Sequence, residues 1–143
     1  MKSLGLALPK ALVPIWTYLP CRQAGNLLYL SGQGPKLTGT VRTGRLGHNT
    51  TIEPGLRGRA SDLFAVAKEA LGELSRIEAV VKVFGMVNAE PDFPDHPKVI
   101  NGCSDLLVEV LGEAGRHARS AVGMGSLPNG MTVEIEAILM VRS

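Results

Sequence analysis

Apolar residues recur along this chain with two spacings, one typical of strands and one typical of helices. Short apolar runs and alternating positions predict strands at residues 27–31, 77–87, 118–127 and 131–141. Residues 16–23 are expected to pair with the first of these strands through a turn at Gly25 and Asn26. The Pro-Asn-Gly turn at residues 128–130 is expected to fold the last two strands back on each other.

Two segments between these strands carry apolar residues at helical spacing. The first begins with Thr50-Thr51-Ile52-Glu53, which fits a capping box, and has Pro54 in its first turn. Its apolar stripe consists of Leu56, Ala60, Leu63, Phe64, Ala67, Leu71 and Leu74. The second helix is expected from about residue 98 to residue 112. Residues 36–49, rich in Gly, Thr and Arg, are predicted to form a loop.

The resulting order of elements is β-β-α-β-α-β-β. It favours an α+β fold for a single domain of residues 1–143, with both helices packed on one face of a mixed β-sheet. On the last strand, one face is wholly apolar, whereas the other carries Glu134, Glu136, Ile138 and Met140. Carboxylates beside Ile138 and Met140 suit a partner subunit better than open water, so we expect an oligomer.

Composition and charge narrow the range of partners. The 143 residues carry a formal net charge of +2, which does not call for a nucleic acid or a membrane. The one Trp, two Tyr and three Phe offer little for base stacking, so a nucleic acid is not expected as a partner. No segment resembles a signal peptide or a membrane span, and Cys21 and Cys103 lie far apart. We expect a cytoplasmic protein with reduced thiols.

Arg119 is the leading candidate for a binding residue. On a strand it shares a face with Ala121, Gly123 and Gly125, whose small size leaves room above the strand. A guanidinium beside such a space can receive a carboxylate through two parallel hydrogen bonds. The alternative from the residues alone is a structural ion pair between Arg119 and a glutamate of the same sheet.

Glu134 is the candidate for proton transfer. The turn before it is expected to bring it near Arg119, where its carboxylate could act as a general base or simply form an ion pair. Glu136 shares its face and is a rival for either role. Gly32, beside Ser31, permits close approach of a ligand. His48, His96 and His117 have no metal-binding spacing, so no metal is expected.

Four motifs resemble those of the RidA/YjgF family, which is also known as endoribonuclease L-PSP. They are Leu30-Ser31-Gly32-Gln33, Ala118-Arg119-Ser120, Leu127-Pro128 and Val133-Glu134-Ile135-Glu136-Ala137-Ile138. The similarity extends from about residue 18 to residue 141. It implies a chorismate-mutase-like fold and a homotrimer with ligand clefts at the subunit interfaces. It also implies hydrolysis of reactive 2-imino acids and their enamine tautomers to 2-keto acids and ammonia, without a cofactor.

The resemblance also assigns roles to single residues. Arg119 matches the arginine that holds the substrate carboxylate, and Glu134 matches the glutamate that orients the attacking water. The positions that match cleft-lining residues are Tyr18, Ser31, Gly32 and Asn101. The chain departs from the family pattern at His117, where proline is usual, and at Ala121, where many members have cysteine. These departures leave open a non-catalytic trimer that binds small keto or amino acids, and the family's older name adds endoribonuclease activity as a third possibility.

Overall fold

A computed structural model of the chain describes residues 8–10, 17–34, 36–37, 40–50 and 57–142. In chain order, its strands and helices are β1 (Cys21–Ala24), β2 (Leu27–Gln33), β3 (Lys36–Leu37), β4 (Thr40–Val41), α1 (Arg57–Leu71), β5 (Ile77–Asn88), α2 (His96–Leu111), β6 (Ala118–Met124) and β7 (Val133–Val141). The predicted order is confirmed. The short ribbon of β3 and β4 lies in the segment that was expected to be a loop.

The five long strands form one mixed sheet with the order β1-β2-β7-β5-β6. β5 and β6 run parallel, and the other neighbouring pairs are antiparallel. The mixed sheet is therefore confirmed, whereas the pairing of β6 with β7 is wrong. β5 lies between them because its long valine-rich sequence pairs on both sides, and the chain from Gly125 to Thr132 crosses over its end.

Both helices pack against one face of this sheet, as predicted. The core joins Phe64 of α1 and Ile100 of α2 to Val83 and Ile135 on the central strands. Gly85 on β5 lets α2 come close, because a Cβ at that position would overlap the Ile100 side chain. α2 is thereby held directly above β5 and beside β6.

The first helix ends earlier than the apolar stripe suggested. α1 stops at Leu71, and Gly72 adopts a φ of 78° while its N–H donates to the Lys68 carbonyl at 2.8 Å. Leu74 instead begins a short 3-10 turn. Several residues used in the sequence analysis lie outside the described part of the chain, namely Trp16, Thr51, Ile52, Glu53, Pro54 and Leu56.

The other face of the sheet carries no helix in the described part of the chain, and we call it the open face. Tyr29 and Val122 are 44% and 37% exposed there. They lie among partly exposed apolar side chains, which include Phe84, Met86, Ile138 and Met140. Among the described residues, no helix is long and apolar enough to span a membrane.

A β-bulge in β2 interrupts the regular alternation of its side chains. Leu30 pairs with Ala137 and Gln33 pairs with Ile135, so β2 contains one more residue than β7 over this stretch. Leu30 and Gln33 are both buried on the helix side. The two residues between them, Ser31 and Gly32, consequently both lie on the open face.

Candidate functional site

Arg119 lies on the edge strand β6, on the helix side of the sheet. Its Nη1 atom donates to Asn101 Oδ1 at 2.9 Å and to Ser104 Oγ at 3.1 Å, and both acceptors belong to α2. Ser104 Oγ also lies 3.0 Å from His117 Nε2. We call these four residues, Asn101, Ser104, His117 and Arg119, the arginine cluster.

The guanidinium of Arg119 is half-buried and has no carboxylate partner among the residues that the structure describes. The acceptors for Nη1 are a side-chain amide and a hydroxyl, both uncharged. Within one chain, the alternative of an ion pair with a glutamate of the same sheet is therefore not found. The positive charge remains available to an external anion.

The space above β6 is smaller than the sequence suggested. The side chain of His96, at the start of α2, lies over Gly123, where a Cβ would crowd the imidazole. The rings of His96 and Phe93 are nearly perpendicular, with centroids 5.3 Å apart. Gly125, in contrast, has open space beside it.

Glu134 lies on the open face, where its carboxylate packs against Gly32. A Cβ at position 32 would overlap this carboxylate, so the absence of a side chain at Gly32 makes room for it. Glu136 is the next residue of β7 on the same face and is exposed. We call Ser31, Gly32, Glu134 and Glu136 the glutamate face.

The surroundings of Glu134 disfavour its ionised form. Burial raises the pKa of its carboxyl above the usual value, and the negative charge of Glu136 raises it further. A carboxylate with a raised pKa accepts protons more readily than an ordinary glutamate does near neutral pH. Glu134 is thus suited to act as a base.

A groove of about 650 Å³ runs across the open face beside this glutamate face. Tyr18, which is 54% exposed, lines it together with Ser31 and Glu136. The Ser31 hydroxyl donates to the Leu19 carbonyl at 2.6 Å and so fastens the segment that carries Tyr18. Lys82 also lines the groove and donates to Ser120 Oγ at 3.0 Å.

The predicted proximity of Arg119 and Glu134 is wrong within a single chain. Arg119 is level with Val83 of β5, which is level with Ala137 of β7, whereas Glu134 is level with Met86. Arg119 therefore lies on the helix side and Glu134 on the open face, separated by two strand spacings (about 10 Å) across the sheet and by three residues (about 10 Å) along it. The structure brings Asn101 to Arg119, and separately brings Gly32 to Glu134.

Ser104 was not identified as a functional candidate from the sequence. His117 was considered only as a metal ligand, which its spacing did not support, and as a departure from the family pattern. The spacing of these two residues from Asn101 and Arg119 in the sequence could have identified them. Ser104 follows Asn101 by one helical turn and so shares its face of α2, and His117 precedes Arg119 by two residues in extended chain. Among the described residues, no three His, Cys, Asp or Glu side chains gather as metal ligands would.

Fold and site together define an α+β protein with an arginine at a sheet edge and a glutamate on the opposite face. The chain belongs to the family described as "YjgF/chorismate_mutase-like, putative endoribonuclease", which it matches over residues 1–133. The family resemblance that the motifs suggested is thereby confirmed, and so is the chorismate-mutase-like fold.

Named relatives support this assignment. The chain is 40% identical over 148 residues to Protein TCP17 of Trypanosoma cruzi, covering 100% of this chain and 92% of that protein. It is 32% identical over 140 residues to a 2-iminobutanoate/2-iminopropanoate deaminase of Dermatophagoides farinae, covering 96% and 95%. The crystal structure of the protein Atu1372 from Agrobacterium tumefaciens is similar with a TM-score of 0.89 and 43% identity, covering 99% of this chain and 89% of that one.

Proposed function

We propose that this protein hydrolyses 2-imino acids and their enamine tautomers to 2-keto acids and ammonia. The observation that carries the proposal is the half-buried Arg119 side chain, whose acceptors among the described residues are uncharged. Such a group attracts a small carboxylate and can hold it by two hydrogen bonds. The similarity to the Dermatophagoides farinae deaminase favours an imino acid as the molecule that carries this carboxylate.

The proposed site is formed by two copies of the chain. Arg119 and Glu134 face opposite sides of one sheet, so a small ligand cannot touch both within one chain. A second copy that seats its glutamate face against the arginine cluster of the first would bring the two groups together. The exposed apolar side chains Tyr29 and Val122 supply an open face suited to such contact. A homotrimer closes this arrangement with three equivalent sites.

The chemistry needs one anion-binding group and one proton acceptor. Arg119 holds the carboxylate of the imino acid, and Glu134 of the neighbouring copy removes a proton from water as its oxygen adds to the C=N carbon. The same carboxyl returns the proton to the nitrogen. The hydroxyl proton of the tetrahedral adduct then passes to this nitrogen, the C–N bond breaks, and ammonia leaves as the carbonyl of the 2-keto acid forms. Tyr18, Ser31, Gly32 and Asn101 line the cleft.

Ammonia release tests this proposal. A serine dehydratase generates 2-aminoacrylate in situ, and the protein should accelerate the appearance of ammonia over the buffer rate. Arg119→Ala should remove the acceleration, while light scattering still shows a trimer. Arg116→Ala is the matched control, because Arg116 is exposed and paired with Glu113 at 3.1 Å. A folded wild-type trimer that gives only the buffer rate would contradict the proposal.

A second candidate is a trimer that binds small keto or amino acids without turnover. It is favoured by the arginine cluster being complete within one chain, with no contribution from Glu134. Saturable binding of a 2-keto acid that requires Arg119, in a protein without ammonia release, would establish it. Cleavage of single-stranded RNA by the purified protein would instead support the activity that the family's description carries.

A further inference from the structure

A chain of hydrogen bonds continues from Arg119 into the protein. Ser104 Oγ receives the Arg119 Nη1 donor at 3.1 Å and lies 3.0 Å from His117 Nε2. On the far side of the ring, His117 Nδ1 lies 2.6 Å from the Gly115 carbonyl oxygen. Three side chains and one backbone carbonyl thus form a single connected series.

The direction of each hydrogen bond follows from the chemistry of its ends. The Gly115 carbonyl only accepts, so Nδ1 of His117 must carry the hydrogen. In the neutral imidazole this leaves Nε2 as an acceptor, and the Ser104 hydroxyl donates to it. The lone pairs of Ser104 Oγ are then directed to the Arg119 guanidinium. Ser104 and His117 therefore each accept from the side of Arg119 and donate toward Gly115.

Close packing of the turn that follows α2 fixes the far end of this series. The turn spans Gly112–Gly115, and Gly115 is buried against the backbone of Leu107. A Cβ at Gly115 would overlap the Leu107 carbonyl, so a glycine is required for this close approach. The carbonyl that accepts from His117 therefore belongs to a rigid part of the fold.

The series determines which edge of the guanidinium remains available. Nη1 has two acceptors for its two hydrogens, Asn101 Oδ1 and Ser104 Oγ. Within the described part of the chain, neither Nε nor Nη2 of Arg119 has a hydrogen-bond partner. These two atoms form the side edge of the planar fork, and that edge fits a carboxylate with two parallel hydrogen bonds.

We propose that Ser104 and His117 are positioning residues, which hold Arg119 so that its Nε/Nη2 edge receives the ligand carboxylate. This inference rests on the proposed function, in which Arg119 binds that carboxylate. His117 holds the Ser104 hydroxyl proton away from Arg119, and Ser104 holds Nη1. Neither residue needs to touch the ligand.

Titration calorimetry with 2-oxobutanoate on the full-length protein tests the inference. Ser104→Ala and His117→Phe each remove one link, and each should raise the Kd about tenfold, the effect of losing about one hydrogen bond to a charged group. Ser104→Thr keeps a hydroxyl, and His117→Gln keeps an acceptor at the reach of Nε2. Both conservative variants should bind within about threefold of wild type. A purely structural role would not give this pattern at an unchanged melting temperature.

Arg119→Ala separates failure of the inference from failure of the proposed function. Wild-type affinity in Arg119→Ala would show that the guanidinium does not bind the ligand, and both proposals would fall. Lost binding in Arg119→Ala together with wild-type Kd values for Ser104→Ala and His117→Phe would overturn the positioning role alone. Conservative variants that bind as weakly as Ser104→Ala and His117→Phe would overturn it as well.

Discussion

The arginine cluster stabilises the charge of Arg119, whereas the glutamate face destabilises the charge of Glu134. The Arg119 cation is supported by two neutral acceptors from α2, which fix its orientation without neutralising it. The Glu134 anion is disfavoured by burial and by Glu136, and both raise the pKa of its carboxyl. A charge that is held steady is suited to binding, and a charge that is destabilised is suited to taking up a proton. In the proposed function, the arginine cluster therefore binds the ligand and the glutamate face transfers the proton.

The largest effect that tests this division is expected from Glu134→Gln. Removal of the proton acceptor should lower kcat by about 10²- to 10⁴-fold, while KM changes by no more than about threefold. Steady-state ammonia release at saturating and limiting substrate separates the two constants. A rise in KM that accounts for the whole loss would mean that Glu134 binds substrate, and the contrast between the two regions would disappear.

Mixing two inactive chains tests whether the two regions meet across an interface. Arg119→Ala and Glu134→Gln subunits, unfolded together in equal amounts and refolded, should recover about a quarter of wild-type activity. With random assembly, about three trimers in four contain both variants. Each of these has one interface in three that pairs an intact Arg119 with an intact Glu134, which gives about one interface in four over the whole mixture. Each variant refolded alone provides the background. No recovery in verified mixed trimers would contradict a site shared between chains.

Gly32→Ala should disturb the glutamate face alone. The added methyl overlaps the Glu134 carboxylate and must displace it, so kcat should fall about tenfold or more. Binding of 2-oxobutanoate should weaken less than kcat falls, because Arg119 of the neighbouring chain still holds the carboxylate. In a protein that already carries Glu134→Gln, Gly32→Ala should lower kcat hardly any further, because the side chain that it displaces no longer acts as a base. Additive losses would indicate that Gly32 acts independently of Glu134.

The smallest expected effect concerns stability and pH. Because the pKa of Glu134 is higher in the folded chain than in the unfolded one, the folded chain binds this proton more tightly. This contribution favours folding at low pH and is lost as the pH rises through the folded-state pKa. Glu134→Gln should therefore stabilise the protein at about pH 7, by less than about 1 kcal/mol since the side chain is partly solvated.

Urea unfolding at about pH 7 and about pH 4 measures this difference. The gain from Glu134→Gln should shrink at the lower pH, where the wild-type carboxyl is itself protonated. Glu136→Gln is the comparison variant, and it should give a smaller gain because it removes only the repulsion between the two carboxylates and leaves Glu134 buried. A loss of stability in Glu134→Gln at about pH 7 would contradict the assigned direction of the pKa shift.

Sequence periodicity predicted the order of the elements and the inward face of β7, because local spacing determines both. It did not predict that β5 would separate β6 from β7. The Pro128-Asn129-Gly130 turn resembles a hairpin turn, and only the pairing capacity of a strand distant in sequence overrides that signal. The position of Glu134 relative to Arg119 depended on this pairing, so it was mispredicted as well.

Contacts among the candidate site residues were only partly predictable from the sequence, for a similar reason. Asn101 was singled out through the family resemblance, and its contact with Arg119 arises because α2 packs beside β6. Ser104 was passed over, since a serine within a helix gives little local sign of a functional partner. The contact between Gly32 and Glu134 depends on a bulge, which shifts the register by one residue and leaves no clear mark in the apolar pattern.

The bulge in β2 changes the open face of the sheet without changing the buried face that packs against the helices. Leu30 and Gln33 stay buried on either side of the bulge, so the extra residue does not change the packing of the core. Deletion of Gly32 would restore the regular alternation of side chains in β2 and leave only Ser31 opposite Glu136. The space that Gly32 leaves for the Glu134 carboxylate would then be lost. A chain shortened by this one residue would keep its core and lose the place of the Glu134 carboxylate, on which the proposed hydrolysis depends.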